Sequence, residues 1–121
     1  MMCYKLRSLL YFCVNFTTEQ EGSPGAVLIR AGEPLRGIAR MKERRKVTRV
    51  EELCSGPGKL CQALGITKEQ NGLELGGMIS VWDDGYVAEM ERSRRIGIRD
   101  AKHLLWRFFL NGNGFVSKEK K

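Results

Sequence analysis

The most informative segment of the chain is Leu53-Cys54-Ser55-Gly56-Pro57-Gly58-Lys59-Leu60-Cys61-Gln62-Ala63-Leu64-Gly65-Ile66. Ser55 is a favoured N-cap residue, Pro57 suits the first helical turn, and Gly65 can end a helix in the left-handed conformation. The stretch therefore predicts a tight turn that leads into a short helix beginning at Pro57. A helix of this length is marginal in water on its own, so we expect its apolar side to pack on a larger body.

The start of this helix can bind an anion, because several backbone N–H groups and the Lys59 ammonium converge there. A nucleotide triphosphate is a poor candidate, since Gly58-Lys59 is followed by Leu60 rather than by Ser or Thr. A DNA backbone phosphate needs only a few donors and one cation to fix its register. The candidate phosphate-binding residues are Ser55, Gly56, Gly58 and Lys59. The alternative is an ordinary capped helix start with a solvated lysine.

Positive charge dominates the chain and is clustered. The sequence has 21 Lys and Arg against 14 Asp and Glu, a formal net charge of +7, and a pI near 9.5. One cluster lies in residues 36–49, and a second consists of Arg92, Arg94, Arg95 and Arg99. A charged run can simply be a solvated helix face. Two such clusters beside an anion-ready turn favour an anionic partner such as nucleic acid.

The length is that of one domain that can bury a core. No apolar run is long enough to span a membrane. The apolar residues after Lys5 and Arg7 are similar to a secretory signal, but no small-residue cleavage site follows them, so we do not expect secretion.

The cysteines and the single histidine do not form a recognisable metal site. Cys54 and Cys61 are seven residues apart, which matches no common zinc motif, and His103 is distant in sequence. We therefore expect reduced, buried thiols in an intracellular protein, with no metal and no cofactor. His103 is expected to be a partly buried helix residue.

The apolar runs and turn signals predict an α+β fold in a single domain. A basic helix is expected from Pro34 to Met41, before the helix at Pro57. The expected strands are 11–16 and 26–30, which form a hairpin, then 79–82, 95–98 and 106–110. We expect these short, mostly antiparallel strands to form a curved, partly open barrel-like sheet with a few short helices.

Several blocks of the chain occur in an order that is diagnostic. They are Tyr11-Phe12-Cys13-Val14-Asn15, Val27-Leu28-Ile29-Arg30-Ala31, Glu52 to Leu64, Arg95-Ile96-Gly97-Ile98, Trp106-Arg107-Phe108 and Phe115-Val116-Ser117. In this order they resemble the alkyladenine (3-methyladenine, methylpurine) DNA glycosylases. The resemblance covers residues 11–118. Residues 1–10 are expected to be a replaced start outside the family, and residues 119–121 a frayed tail.

The resemblance implies a DNA repair enzyme that works as a monomer without a cofactor. Such an enzyme flips an alkylated or deaminated purine out of double-stranded DNA and hydrolyses its N-glycosidic bond. By position, Asn15 corresponds to a pocket residue beside the flipped purine. Arg30 corresponds to a group that orients a carboxylate and water, and the Ile96 backbone carbonyl to one that holds the water. Arg45 and Lys59 correspond to backbone phosphate contacts.

Each assignment has a structural alternative. Asn15 can be a strand-end residue that bonds its own backbone. Arg30 can form an ion pair with Glu33. Ile96 can be a core side chain.

The chain departs from the family at its beginning. The family's catalytic glutamate lies in a Glu-x-Glu-Ala-Tyr type segment upstream of Tyr11, and nothing in this chain corresponds to it. Ser8-Leu9-Leu10 stand where the family has a Tyr-Gly-Met hairpin tip. We therefore expect an N-terminally truncated glycosylase without its general base, inactive alone. We expect poor solubility or self-association, because a strand missing from one sheet edge would expose unpaired backbone. The alternative is a non-enzymatic basic DNA-binding module, whose binding depends on salt and not on damage.

Overall fold

The computed structural model describes residues 2–5 and 11–117 of the chain. The start expected at residues 1–10 is therefore described only in part. The Ser8-Leu9-Leu10 segment and the tail expected at residues 119–121 lie outside the described residues.

The described elements are three short strands, then two short helices, then two more strands, which confirms the α+β class. In chain order they are strands β1 (Met2–Lys5), β2 (Phe12–Thr17) and β3 (Ala26–Leu28), helix α1 (Ile38–Arg45), a 3₁₀ turn (Val50–Glu52), helix α2 (Pro57–Leu64), a second 3₁₀ turn (Lys68–Gln70), and strands β4 (Met90–Ser93) and β5 (Arg107–Leu110).

The strands form two separate antiparallel sheets. In the first, β2 lies between β1 and β3, and Asn15 pairs with Met2 on one side and Leu28 on the other. The pairing of β2 with β3 confirms the predicted hairpin. In the second, β4 pairs with β5, so that Ser93 lies opposite Arg107.

Helix α2 begins at Pro57 and ends at Leu64, as predicted, and Gly65 follows it in the left-handed conformation at φ 72°. The N-cap expected at Ser55 is wrong. The N-cap is Gly56, whose backbone is extended and which makes no side-chain capping bond. The Ser55 hydroxyl instead accepts a hydrogen bond from Lys59 Nζ at 3.2 Å.

Helix α1 begins later than predicted, at Ile38 rather than Pro34. Gly37 precedes it with φ 71°, a left-handed conformation that glycine adopts without steric cost. Pro34 is buried in the extended stretch before this turn.

The core consists of two apolar clusters. The first contains Leu53, Cys54, Leu60 and Ala63, and the second contains Val14, Cys61 and Ile66. Ile29, just after β3, packs against both clusters. Helix α2 contributes to both, so it is the element on which α1 and β2 pack.

The second half of the chain is less regular than predicted. The strand expected at 106–110 is present as β5, whereas residues 79–82 and 95–98 are not strands. Neither segment has a paired neighbour, and Trp82 in the first is 86% exposed.

The expected barrel-like sheet is not confirmed. Barrel closure needs continuous strand pairing, and the described strands are divided into a three-stranded and a two-stranded sheet. Within the described residues, neither helix is long and apolar enough to cross a membrane.

Candidate functional site

Arg45, predicted to contact a phosphate, makes three hydrogen bonds within the protein. Its Nε donates to the Leu53 carbonyl at 3.0 Å, one terminal nitrogen donates to Gln62 Oε1 at 2.7 Å, and the other to the Glu52 carbonyl at 3.3 Å. These bonds join the last turn of α1 to the segment before α2 and to α2 itself. Arg45 therefore has a structural role, and its contact with a phosphate remains a prediction.

Arg44 makes a similar connection. Its guanidinium donates to the Ala63 carbonyl at 3.0 Å, and its own carbonyl accepts from Gln62 Nε2 at 3.2 Å. The guanidinium lies so close to Gly65 that a Cβ there would be 2.9 Å from Arg44 Cζ. Two adjacent cations of the first basic cluster therefore fix α1 on α2.

The start of α2 lies directly against the start of β2. A Cβ added at Gly58 would be 2.9 Å from Tyr11 Cβ, so only glycine permits this approach. Lys59 is exposed, and its ammonium is held by the Ser55 hydroxyl on the same side of the turn. The turn thus holds together the four candidate residues Ser55, Gly56, Gly58 and Lys59. Their contact with a phosphate remains a prediction.

Arg30 is half-buried and lies two residues after the end of β3. Its Nε is buried and has no hydrogen-bond partner in the described residues. Burial lowers the pKa of Arg30 below its ordinary value; the charges of Arg107 and Arg95 lower it further, and Cys13 acts in the opposite direction. The salt bridges found in the described part of the chain do not include Arg30, so the alternative pair with Glu33 is not formed.

Arg107 is a member of this cationic group that sequence reasoning missed. It donates to Ser93 Oγ at 2.9 Å and to the Ser117 carbonyl at 2.6 Å, and its Cζ lies 4.2 Å from the centre of the Phe109 ring. Ser117 is a buried polar residue. The available signal was a single arginine at the start of the otherwise apolar strand Arg107–Leu110.

Asn15 and Arg30 lie on the same face of the first sheet. Asn15 is opposite Leu28, and the Ile29 amide donates to the Val14 carbonyl at 3.0 Å. Continuing this antiparallel register places Arg30 opposite Cys13, two residues from Asn15 and on its side of the sheet. Asn15 is half-buried in the interior of β2, not at its end.

Ile96 is half-buried in a bend after β4, and Gly97 follows it with φ 74°. Its neighbour Arg95 is near enough to Arg30 for their charges to interact. Val14, on the opposite face of the sheet, packs with Cys61 of α2.

The buried thiols do not form a metal site. Cys13, Cys54 and Cys61 are buried, and burial raises the pKa of the Cys54 thiol while the charge of Arg45 opposes the shift. In the described stretches of chain, no three side chains of His, Cys, Asp or Glu converge in a way that could hold a metal ion.

The comparison with protein families is decisive. The model described as methylpurine-DNA glycosylase matches residues 2–114. The chain belongs to the methylpurine-DNA glycosylase family. The boundary expected at residue 11 stays a prediction.

Curated relatives support the same family. A protein of Bradyrhizobium diazoefficiens is 48% identical over 110 residues, covering 90% of this chain and 55% of that protein. One from Nitrobacter winogradskyi is 46% identical with 90% and 53% covered, and one from Clostridium acetobutylicum is 42% identical with 93% and 61% covered. All three are named as 3-methyladenine DNA glycosylases. The chain spans about half the length of the first two.

Proposed function

We propose that the chain takes part in base-excision repair by binding double-stranded DNA at alkylated purines of the 3-methyladenine type and at the deaminated purine hypoxanthine. The observation that carries the proposal is the face shared by Asn15 and Arg30, where a half-buried cation has no anionic partner in the described residues. Family membership supports the DNA substrate, and an intracellular location follows from that substrate.

In this proposal each candidate residue has a distinct task. The Asn15 amide lies beside the flipped purine and discriminates against an exocyclic amino group. The planar Arg30 fork orients a carboxylate and the attacking water, and the Ile96 carbonyl accepts a hydrogen bond from that water. Ser55, Gly56, Gly58 and Lys59 bind the DNA backbone and fix its register.

Hydrolysis also requires a general base. Water attacks the sugar carbon, the N-glycosidic bond breaks, and the proton of the water must pass to a group within hydrogen-bond distance. The 121 residues contain no Glu-x-Glu-Ala-Tyr type segment to supply such a carboxylate. We therefore propose that these residues alone bind the lesion without excising the base.

A basic DNA-binding module without enzymatic function is the second candidate. It is favoured by exposed cations, such as Arg36, Arg40 and Lys46, whose side chains make no hydrogen bond within the described part of the chain. Such a surface binds any duplex through its phosphates, and its affinity falls steeply with salt.

The two candidates differ in their preference for damage. We expect the 121-residue chain to bind a duplex with one hypoxanthine more tightly than the undamaged duplex, and to release no base during prolonged incubation. Fluorescence anisotropy at several salt concentrations measures the first, and alkaline strand cleavage the second. Equal affinity for the two duplexes supports the binding module, and base release contradicts the proposed inactivity.

Two variants separate the pocket from the backbone contacts. Lys59→Ala should lower the slope of log affinity against log salt by about one, equally on both duplexes. Asn15→Ala should remove the preference for hypoxanthine and leave the slope unchanged. Lys68→Ala, an exposed lysine beyond the other end of α2, is the matched control and should change neither.

A further inference from the structure

Two aromatic side chains and two arginines lie on one face of the second sheet. Arg92 lies opposite Phe108. Alternate residues of a strand share a face, so the same register places Arg94, just after β4, opposite Trp106, just before β5. All four residues are exposed, Trp106 by 64% and Phe108 by 52%. We call these four residues the aromatic–arginine face.

Positive charge is concentrated on this face. Arg92 Cζ lies 4.9 Å from the centre of the Phe108 ring, so the cation and the ring interact directly. The salt bridges in the described part of the chain include neither Arg92 nor Arg94. Glu91, the acidic residue of β4, lies opposite Phe109 and therefore on the other face. No carboxylate of β4 or β5 thus lies on the aromatic–arginine face.

The other face of the sheet is already used within the protein. There Arg107 donates to Ser93 Oγ at 2.9 Å and to the Ser117 carbonyl at 2.6 Å. Among the described elements, β4 and β5 pack mainly on each other, so the aromatic–arginine face is left to solvent. Exposed apolar surface of this kind marks an interaction site.

Aromatic rings beside cations are the combination that binds unpaired nucleobases. A base stacks on the ring, and its phosphate pairs with the neighbouring cation. Trp106 and Phe108 lie two residues apart in an extended chain, or about 7 Å, which is twice the rise of about 3.4 Å per nucleotide in a stacked strand. Two successive bases can therefore lie on the two rings only in a stretched strand. The bases of a duplex cannot do so, because their flat faces are covered by their neighbours.

A second copy of the chain fits this face poorly. In a symmetric dimer the same patch meets itself, so the Arg92 and Arg94 side chains of the two copies would approach each other. Like charges that face each other across an interface oppose association. Single-stranded nucleic acid is an anion with exposed aromatic faces, so it is complementary both to the arginines and to the rings.

We propose that the aromatic–arginine face is a binding site for single-stranded nucleic acid. Bases stack on Trp106 and Phe108, and the phosphates between them pair with Arg92 and Arg94. This site is additional to the duplex contacts proposed for Ser55 to Lys59. A strand that contains no purine cannot report on lesion binding, so the two proposals can fail separately.

The test is fluorescence anisotropy with a labelled oligothymidylate of about 12 nucleotides, within the site sizes of single-strand-binding folds. We expect the 121-residue chain to bind this strand. Trp106→Ala and Phe108→Ala should each weaken this binding at least about fivefold, the lower end of what one stacked base contributes. Both should leave the affinity for an undamaged hairpin duplex unchanged. An oligouridylate of equal length shows, by its tighter or weaker binding, whether the site prefers RNA or DNA.

Further substitutions separate stacking from packing. Phe108→Leu keeps an apolar side chain but removes the ring, so it should weaken binding of the strand as Phe108→Ala does. Phe108→Trp should bind at least as tightly as the parent chain. Arg92→Gln should lower the slope of log affinity against log salt by about 0.7, the value for one phosphate of a single strand. Circular dichroism of each variant establishes that it folds.

Trp82→Ala is the matched control for the rings, because Trp82 is 86% exposed and lies outside β4 and β5. Lys68→Gln, at an exposed lysine outside the second sheet, is the control for Arg92→Gln. Both should bind the strand as the parent chain does. The proposal is overturned if the parent chain does not bind the strand, if Trp82→Ala causes an equal loss, or if folded Phe108→Leu binds like the parent chain.

Discussion

Arg45 has a structural role that its place in a basic cluster did not indicate. In the sequence it is one cation in a basic cluster. In the structure its guanidinium satisfies the Leu53 and Glu52 carbonyls and the Gln62 amide oxygen. Those acceptors lie 7 to 17 residues away along the chain, so no local pattern could have revealed them.

Arg45→Ala should therefore destabilise the protein. Removing the guanidinium leaves carbonyl acceptors without their donors, and hydrogen bonds to charged groups contribute about 1.5–3 kcal/mol. We expect the free energy of unfolding in urea to fall by about 2 kcal/mol. Arg40→Ala, an exposed arginine in the same helix, should change it by less than about 0.5 kcal/mol. Equal effects of the two substitutions would contradict the structural role of Arg45.

Among the elements, helix α2 was predicted correctly because the residues that begin and end it lie within the helix or next to it. Pro57 and Gly65 mark its two ends in both sequence and structure. Ser55 was misread as the N-cap because its hydroxyl bonds Lys59, a contact within one turn that competes with capping. The strands predicted at 79–82 and 95–98 are absent. A strand needs a partner strand, and its own sequence does not specify one.

Gly58→Ala tests the contact between α2 and β2. Alanine gains about 1 kcal/mol in helix propensity over glycine, but its Cβ would lie 2.9 Å from Tyr11 Cβ and 3.2 Å from Tyr11 Cγ. Overpacking typically costs about 1–3 kcal/mol, so we expect a net loss of about 1 kcal/mol in thermal or urea unfolding. Gly77→Ala, with no atom within 4 Å of the added Cβ, is the control. A more stable Gly58→Ala protein would show that Tyr11 does not pack there.

At the scale of the whole molecule, the sequence predicted the α+β class but not the separation into two sheets. The apolar periodicity of Arg107–Leu110 indicates a strand, yet nothing in it states which strand it joins. The pairing with Met90–Ser93 and the effect of the Arg107 charge on Arg30 depend on the tertiary fold. The candidate site was predicted for Asn15 and Arg30 from family position, whereas Arg107 required the structure.

This separation predicts uneven stability across the chain. The β2 strand packs on α2 through Val14 and Cys61, whereas β4 and β5 pack mainly on each other. In native-state hydrogen exchange, we expect amides of Cys13 and Val14 to open with a free energy near the global value. Amides of β4 should exchange through local opening at a much lower free energy. Equal protection of the two sheets would contradict this division.

Ile29 sits at the seam of the two clusters and is the residue immediately before Arg30. The packing of Ile29 against both clusters therefore fixes the position of Arg30. Ile29→Val would loosen the packing of both clusters and allow the Arg30 guanidinium to move away from Asn15. If the proposed function holds, this substitution would weaken binding to the lesion although it changes no polar atom.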